Sequence, residues 1–74
     1  MIAIRIFNPN GVESRWQVPN GSALVRWLIA RSRVACINRI DLTGNVCTVV
    51  LTRGGSRCIG ESGILNWVRA RFGW

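Results

Sequence analysis

Seventy-four residues with ten arginines, no lysine, no histidine, three acids and four tryptophans carry a formal charge of +7, all of it guanidinium. Hydrophobic residues make up 49% of the chain, which excludes a disordered basic tail, and the length allows one domain, residues 1–74, around one core. No apolar run approaches the ~18 residues that span a bilayer, and Met1-Ile2-Ala3-Ile4-Arg5 does not read as an export leader. The expectation is a cytoplasmic chain with no membrane partner.

Residues 2–7 alternate Ile2, Ile4 and Ile6 against Ala3, Arg5 and Phe7, the period of a half-buried strand. Asn8-Pro9-Asn10-Gly11 is a turn cluster, and Val12 to Val18 alternates again, so an N-terminal hairpin is predicted. Pro19-Asn20-Gly21-Ser22 ends it and offers Asn20 or Ser22 as a helix N-cap. From Ala23 to Arg33, Leu24, Val25, Leu28 and Ile29 share one face of an amphipathic helix.

Cys36 to Leu42 alternates, Gly44-Asn45 is a hairpin turn signal, and Val46 to Arg53 is rich in β-formers. That turn sets Leu42 opposite Cys47, Ile40 opposite Val49 and Asn38 opposite Leu51. A second turn signal at Gly54-Gly55 predicts a further strand through Cys58, with Leu51 opposite it. One face of this meander then collects Cys36, Ile40, Leu42, Cys47, Val49, Leu51 and Cys58. The other carries Arg39, Arg57 and an apolar trio, Ile37, Val50 and Ile59, that a second copy of the chain could cover. Gly60-Glu61-Ser62 opens a last helix with buried stripe Ile64, Leu65, Val68 and Phe72, stopped at Gly73. The predicted fold is a small α+β domain of order ββαβββα, an antiparallel hairpin and meander sheet with both helices on its cysteine-bearing face.

Three cysteines without a C-x-x-C, a histidine or an acidic cluster argue against a disulfide scaffold and against a metal site. At ~3.4 Å per residue, the register separates Cys36 from Cys47 by roughly 20 Å and Cys47 from Cys58 by about 13 Å. A disulfide needs Cα atoms within about 7 Å, so the thiols are expected to stay apart. Glu13, Asp41 and Glu61 fall on separate elements, and His, Lys and Tyr are absent, so no catalytic residues and no cofactor are expected. Gly54-Gly55-Ser56 lacks the lysine and the strand–loop–helix setting of a phosphate cradle and reads as a turn.

Chemistry therefore rests on arginine and tryptophan. Arginine makes planar, bidentate contacts with phosphate or carboxylate and stacks on aromatic rings. Trp27 to Arg31 and Trp67 to Arg71 repeat the same i, i+4 spacing, which stacks each pair on one helix face. The rings either lie half-buried on the helix–sheet seam under arginine stems or form a platform for a partner. Arg26, Trp27, Arg31, Arg39, Arg57, Trp67, Arg69 and Arg71 are the candidate binding residues. Trp16 and Trp74 are assigned to the core edge.

The helix–three-strand–helix run from Ala23 to Phe72 resembles the order of double-stranded-RNA-binding domains, but Gly60-Glu61-Ser62-Gly63 puts an acid where that family has lysines. Val49-Val50-Leu51 with Ile59-Gly60-Glu61-Ser62-Gly63-Ile64-Leu65 looks like the terminal strand–strand–helix of glutaredoxin and glutathione-transferase domains, without their redox cysteine, proline or middle helix. No site residue carries over from either likeness. In style the short, hairpin-rich, arginine-only chain also looks like small accessory proteins of phages from GC-rich hosts.

The expected function is a non-catalytic binding protein that docks through Arg and Trp onto an acidic protein surface or a nucleoprotein complex. A phage-type inhibitor of a host machine, such as a CRISPR effector or a polymerase, is the favoured version. The alternatives are a small domain binding RNA or DNA phosphates directly and a homodimer through the Ile37/Val50/Ile59 face.

Overall fold

In the computed structural model, which describes residues 1–54 and 57–74, the elements are β1 (Ile2–Phe7), β2 (Glu13–Val18), α1 (Gly21–Val34), β3 (Cys36–Thr43), β4 (Val46–Thr52) and α2 (Glu61–Phe72). The strands form one mixed sheet in the order β2-β1-β4-β3. Leu24 and Leu28 of α1 and Ile64 and Val68 of α2 join the isoleucines of β1 in one core, so both helices lie on one face of the sheet. The domain is α+β, as the hydrophobic periods predict, with the order ββαββα.

Local chemistry explains most boundaries. The Asn8 side-chain amide donates to the Val12 carbonyl at 2.7 Å and to Ser14 Oγ at 2.9 Å, while Asn10 Oδ1 accepts from the Val12 N–H at 3.0 Å. These side-chain bonds fold the turn and fix the register Ile2↔Val18, Ile4↔Trp16, Ile6↔Ser14. Asn20 caps α1, its Oδ1 accepting from the Ala23 N–H at 2.9 Å. Gly73 closes α2 in the left-handed region, at φ +71°, where its N–H reaches the Arg69 carbonyl at 2.9 Å. Ile4, Leu24, Leu28, Ile37 and Ile64 are fully buried; each such side chain contributes up to ~1.5–3 kcal/mol by leaving water.

Three expectations are corrected. The first concerns the sheet. The free edge of β4 is taken by β1, running parallel to it with Ile4 beside Cys47 and Ile6 beside Val49. This pairing joins the two hairpins into one sheet and places the β1 isoleucines over the cysteine-bearing strand. With β1 and β3 on either side of it, β4 has both edges paired, and among the described residues no further strand joins it. Residues 57–59 run instead against the start of β3, where the Ile59 N–H donates to the Ile37 carbonyl at 2.7 Å and Asn38 Nδ2 to the Arg57 carbonyl at 3.3 Å. Gly54 is a turn residue, whereas Gly55 and Ser56 of the expected second turn lie outside the described residues.

The second correction is register. Leu42↔Cys47 and Ile40↔Val49 pair as expected, but the pairing shifts between Ile37 and Arg39, leaving Asn38 as an extra residue. A one-residue insertion turns every side chain before it to the other face. Ile37 therefore faces Leu51 and is fully buried, and Cys36 pairs with Thr52. Ile59 also packs against the core. The apolar trio Ile37, Val50 and Ile59 is thus divided between two faces and offers no homodimer surface.

The third follows from the first two. Cys36, turned out of the core, meets the returning segment, and Cys36 and Cys58 form a disulfide with Cα atoms 5.0 Å apart. Cys47 alone behaves as expected: it is a buried free thiol, and burial, reinforced by the Asp41 carboxylate, pushes its pKa up to about 11.

Candidate binding surface

The two faces of the sheet differ in charge. The uncovered face carries Arg5 on β1, Glu13 and Arg15 on β2, and Arg39 and Asp41 on β3, a nearly balanced set. Glu13 Oε1 accepts from Arg5 Nε at 2.8 Å and lies 3.9 Å from Arg15 Nε. The hydrogen bond from Arg5 outweighs the opposing effect of desolvation and, with smaller contributions from the charges of Arg5 and Arg15, holds the Glu13 carboxyl below its ordinary range. Seven arginines remain for the helices and the segment between β4 and α2: Arg26, Arg31, Arg33, Arg53, Arg57, Arg69 and Arg71, with Glu61 as their only acid. Five of these seven stand on the two helices, so the helices carry more excess positive charge than the open sheet face.

α1 and α2 touch one another, and Arg33 Nη2 of α1 pairs with Glu61 Oε1 of α2 at 3.0 Å. At the opposite end, Trp74 stacks on Phe72 with centroids 5.2 Å apart and lies against Gly21 at the start of α1. A β-carbon at Gly21 would sit 3.5 Å from the Trp74 ring, ordinary contact, so the indole closes over this end of the layer. The two helices are clamped at both ends.

The predicted pairs behave differently. Arg31 lies over Trp27 with its guanidinium carbon 5.1 Å from the ring centroid, a cation–π pair, and both residues are half-buried. Trp67 is also half-buried, but its neighbour is the edge of Phe72 at 6.3 Å. Arg71 swings to the sheet, where Nη2 donates to the Leu42 carbonyl at 2.7 Å. The indoles thus sit on the seam between helices and core. Only the first is roofed by its own arginine.

Arg26 and Arg69 stand on the exposed faces of the two helices, and among the described residues neither has a carboxylate within ion-pair distance. Small residues surround them: Ser22 and Ala30 on α1, Asn66 and Ala70 on α2, all exposed. Their guanidinium groups are open to a flat partner. Arg57 is exposed on the segment leading into α2. Arg39 is exposed opposite Val50 on the other face of the sheet. Of the candidate residues, the structure therefore brings Arg26, Trp27, Arg31, Trp67, Arg69 and Arg71 into one layer, places Arg57 at its edge and leaves Arg39 apart.

Arg33 belongs to the layer and was not singled out by the sequence, although a basic residue in the last turn of a helix is a recognisable signal. Trp16 is also more prominent than its core-edge assignment: it lies on the helix-bearing face of β2 and is 60% exposed. No helix of the described residues is long and apolar enough to cross a membrane, and no group of three metal-ligating side chains occurs among them. Comparison of the chain with family models, with curated proteins and with solved structures found no match in any of the three.

Proposed function

We propose that this chain is a non-catalytic binding protein that docks through its helix layer onto an acidic or nucleic-acid-bearing target. The supporting observation is the separation of charge: five arginines and one acid on the two helices, against three arginines and two acids on the open sheet face. Arg26 and Arg69 are its leading contacts, because they are exposed, unpaired with acids and ringed by small side chains. Arg33 and Arg57 extend the positive field. Trp27 and Trp67 give the layer rigidity and a partly exposed aromatic edge. The finer version is a phage-type inhibitor or modulator of a nucleoprotein machine, such as a CRISPR effector or a polymerase, where a charged surface competes with nucleic acid for its site.

Direct binding of RNA or DNA phosphates is the second reading, favoured by guanidinium groups free to make bidentate contacts. A mobility-shift series with single- and double-stranded DNA and RNA separates the two. Direct phosphate binding gives a shift that fades steeply between about 50 and 200 mM salt. No shift at the low end removes that reading and leaves the acidic protein target. Retention on a polyglutamate matrix tests the surface in either case: Arg26→Glu with Arg69→Glu elutes at lower salt than the parent chain. Unchanged retention would remove the helix layer from the proposal.

A target in the cytosol adds a requirement. Cytosolic thiol pools keep cysteine pairs reduced, so the domain must hold its fold with Cys36 and Cys58 open.

A further inference from the structure

We propose that the outer edge of β2 is a docking site for an extended acidic segment of another protein, which adds to the sheet as a further strand. β2 ends the sheet, and among the described residues β1 is its one strand neighbour. Of Glu13–Val18, only Val18 is buried and only Ser14 is half-buried. An edge of this kind presents a row of main-chain donors and acceptors that another strand can satisfy.

The side chains on either side of the edge select the occupant. On the open face, Arg5 and Arg15 are cross-strand neighbours and share the single carboxylate of Glu13. The Arg15 side chain is 79% exposed, and a shallow groove runs between these two arginines, Gln17, Ala3 and Val46. On the helix-bearing face, Trp16 projects beside the same edge, 60% exposed. Successive residues of an added strand point to opposite faces. Acidic residues at alternate positions would therefore reach Arg15 and Arg5, while apolar residues between them pack on the Trp16 indole.

Charge opposes the simplest rival. A second copy of this chain also carries +7, and the one carboxylate of its own β2, Glu13, is already bonded to Arg5. Like charges along an edge repel a twin strand; here they admit an acidic one. This edge is separate from the exposed faces of α1 and α2, so the inference stands or falls independently of the helix-layer reading.

The probe is an eight-residue peptide of alternating glutamate and valine, titrated into the intact protein while backbone amide resonances and amide exchange are followed by NMR. The expected result is shifts and slowed exchange confined to β2 and its rim, with the affinity reduced about tenfold by Arg15→Glu and by Trp16→Ser. The same peptide N-methylated at every amide should not bind, because it has no main-chain donors to pair. Unperturbed α1 and α2 resonances verify that each variant remains folded, and Arg26→Glu with Arg69→Glu should bind the peptide as the parent does. Equal binding of the N-methylated peptide would reduce the site to charge alone and overturn strand addition. Silent β2 amides at about 2 mM peptide, or sedimentation showing β2 already occupied by a second copy, would do the same.

Discussion

α1 and α2 carry the same tryptophan–arginine spacing and use it in opposite ways. In α1 the arginine folds back over its own indole; in α2 it leaves the indole for a carbonyl of β3. The difference lies in the surroundings. A guanidinium over an exposed ring gains ~0.5–1 kcal/mol, whereas a charged donor on a carbonyl gains ~1.5–3 kcal/mol where the carbonyl lacks another partner. α2 brings Arg71 within reach of the end of β3, and Phe72 fills the place beside Trp67. Helical spacing offers a contact. The nearest stronger acceptor decides whether it forms.

The helices also differ in how they are held at their N-termini. α1 has a side-chain cap from Asn20; α2 starts at Gly60 with no side-chain cap and depends on the disulfide just before it. Reducing Cys36–Cys58 should therefore have the largest effect, a loss of about 3 kcal/mol for a closed loop of this length. The loss should show first as faster amide exchange in α2 and in residues 57–60, with α1 protected. Equal loosening of both helices would break the contrast. In the oxidised protein no thiol should react with an alkylating reagent at neutral pH, and one, Cys47, should react after denaturation, because burial holds that thiol protonated.

Next in size, Asn20→Ala should cost about 1 kcal/mol by thermal melting, since it leaves the Ala23 N–H without its acceptor. Arg71→Ala should cost about 1 kcal/mol by losing the bond to Leu42, and Arg31→Ala about half of that. A larger loss for Arg31 than for Arg71 would reverse the ranking of the two pairs. Gly60→Ser should add a few tenths of a kcal/mol, because a β-carbon there meets nothing within 4 Å and the hydroxyl supplies the cap α2 lacks. A loss of stability would show that the entry into α2 needs glycine for another reason.

What sequence reasoning recovered was short in range. The isoleucine alternation of β1, the Leu24/Leu28 and Ile64/Val68 stripes, the Asn20 cap and the Leu42↔Cys47 register each follow from residues a few positions apart. What it missed needed distant parts of the chain. Nothing local says that β1 will lie parallel to β4, and without that pair the run after Gly54 looks like one more strand of a meander. The extra residue at Asn38 is equally silent, because Cys36-Ile37-Asn38 alternates well in either phase. With Cys58 assigned to a further strand on the far side of β4, its meeting with Cys36 at the start of β3 could not be seen. The positions of the candidate residues were more legible, since polar helix faces follow from the apolar ones. Six of the eight candidates share the helix layer, Arg57 lies at its edge and Arg39 on the other side of the sheet.

The parallel β1–β4 pair also sets when this molecule can be finished. A hairpin of Ile2–Val18 emerging from the ribosome has an unpaired flank of isoleucines until residues 46–50 have been made. Early synthesis thus leaves a sticky, half-built sheet waiting on a strand more than forty residues from its own start, the sort of topology that folds slowly and tempts wrong partners. Moving the N-terminal hairpin to the far end by circular permutation would shorten that wait.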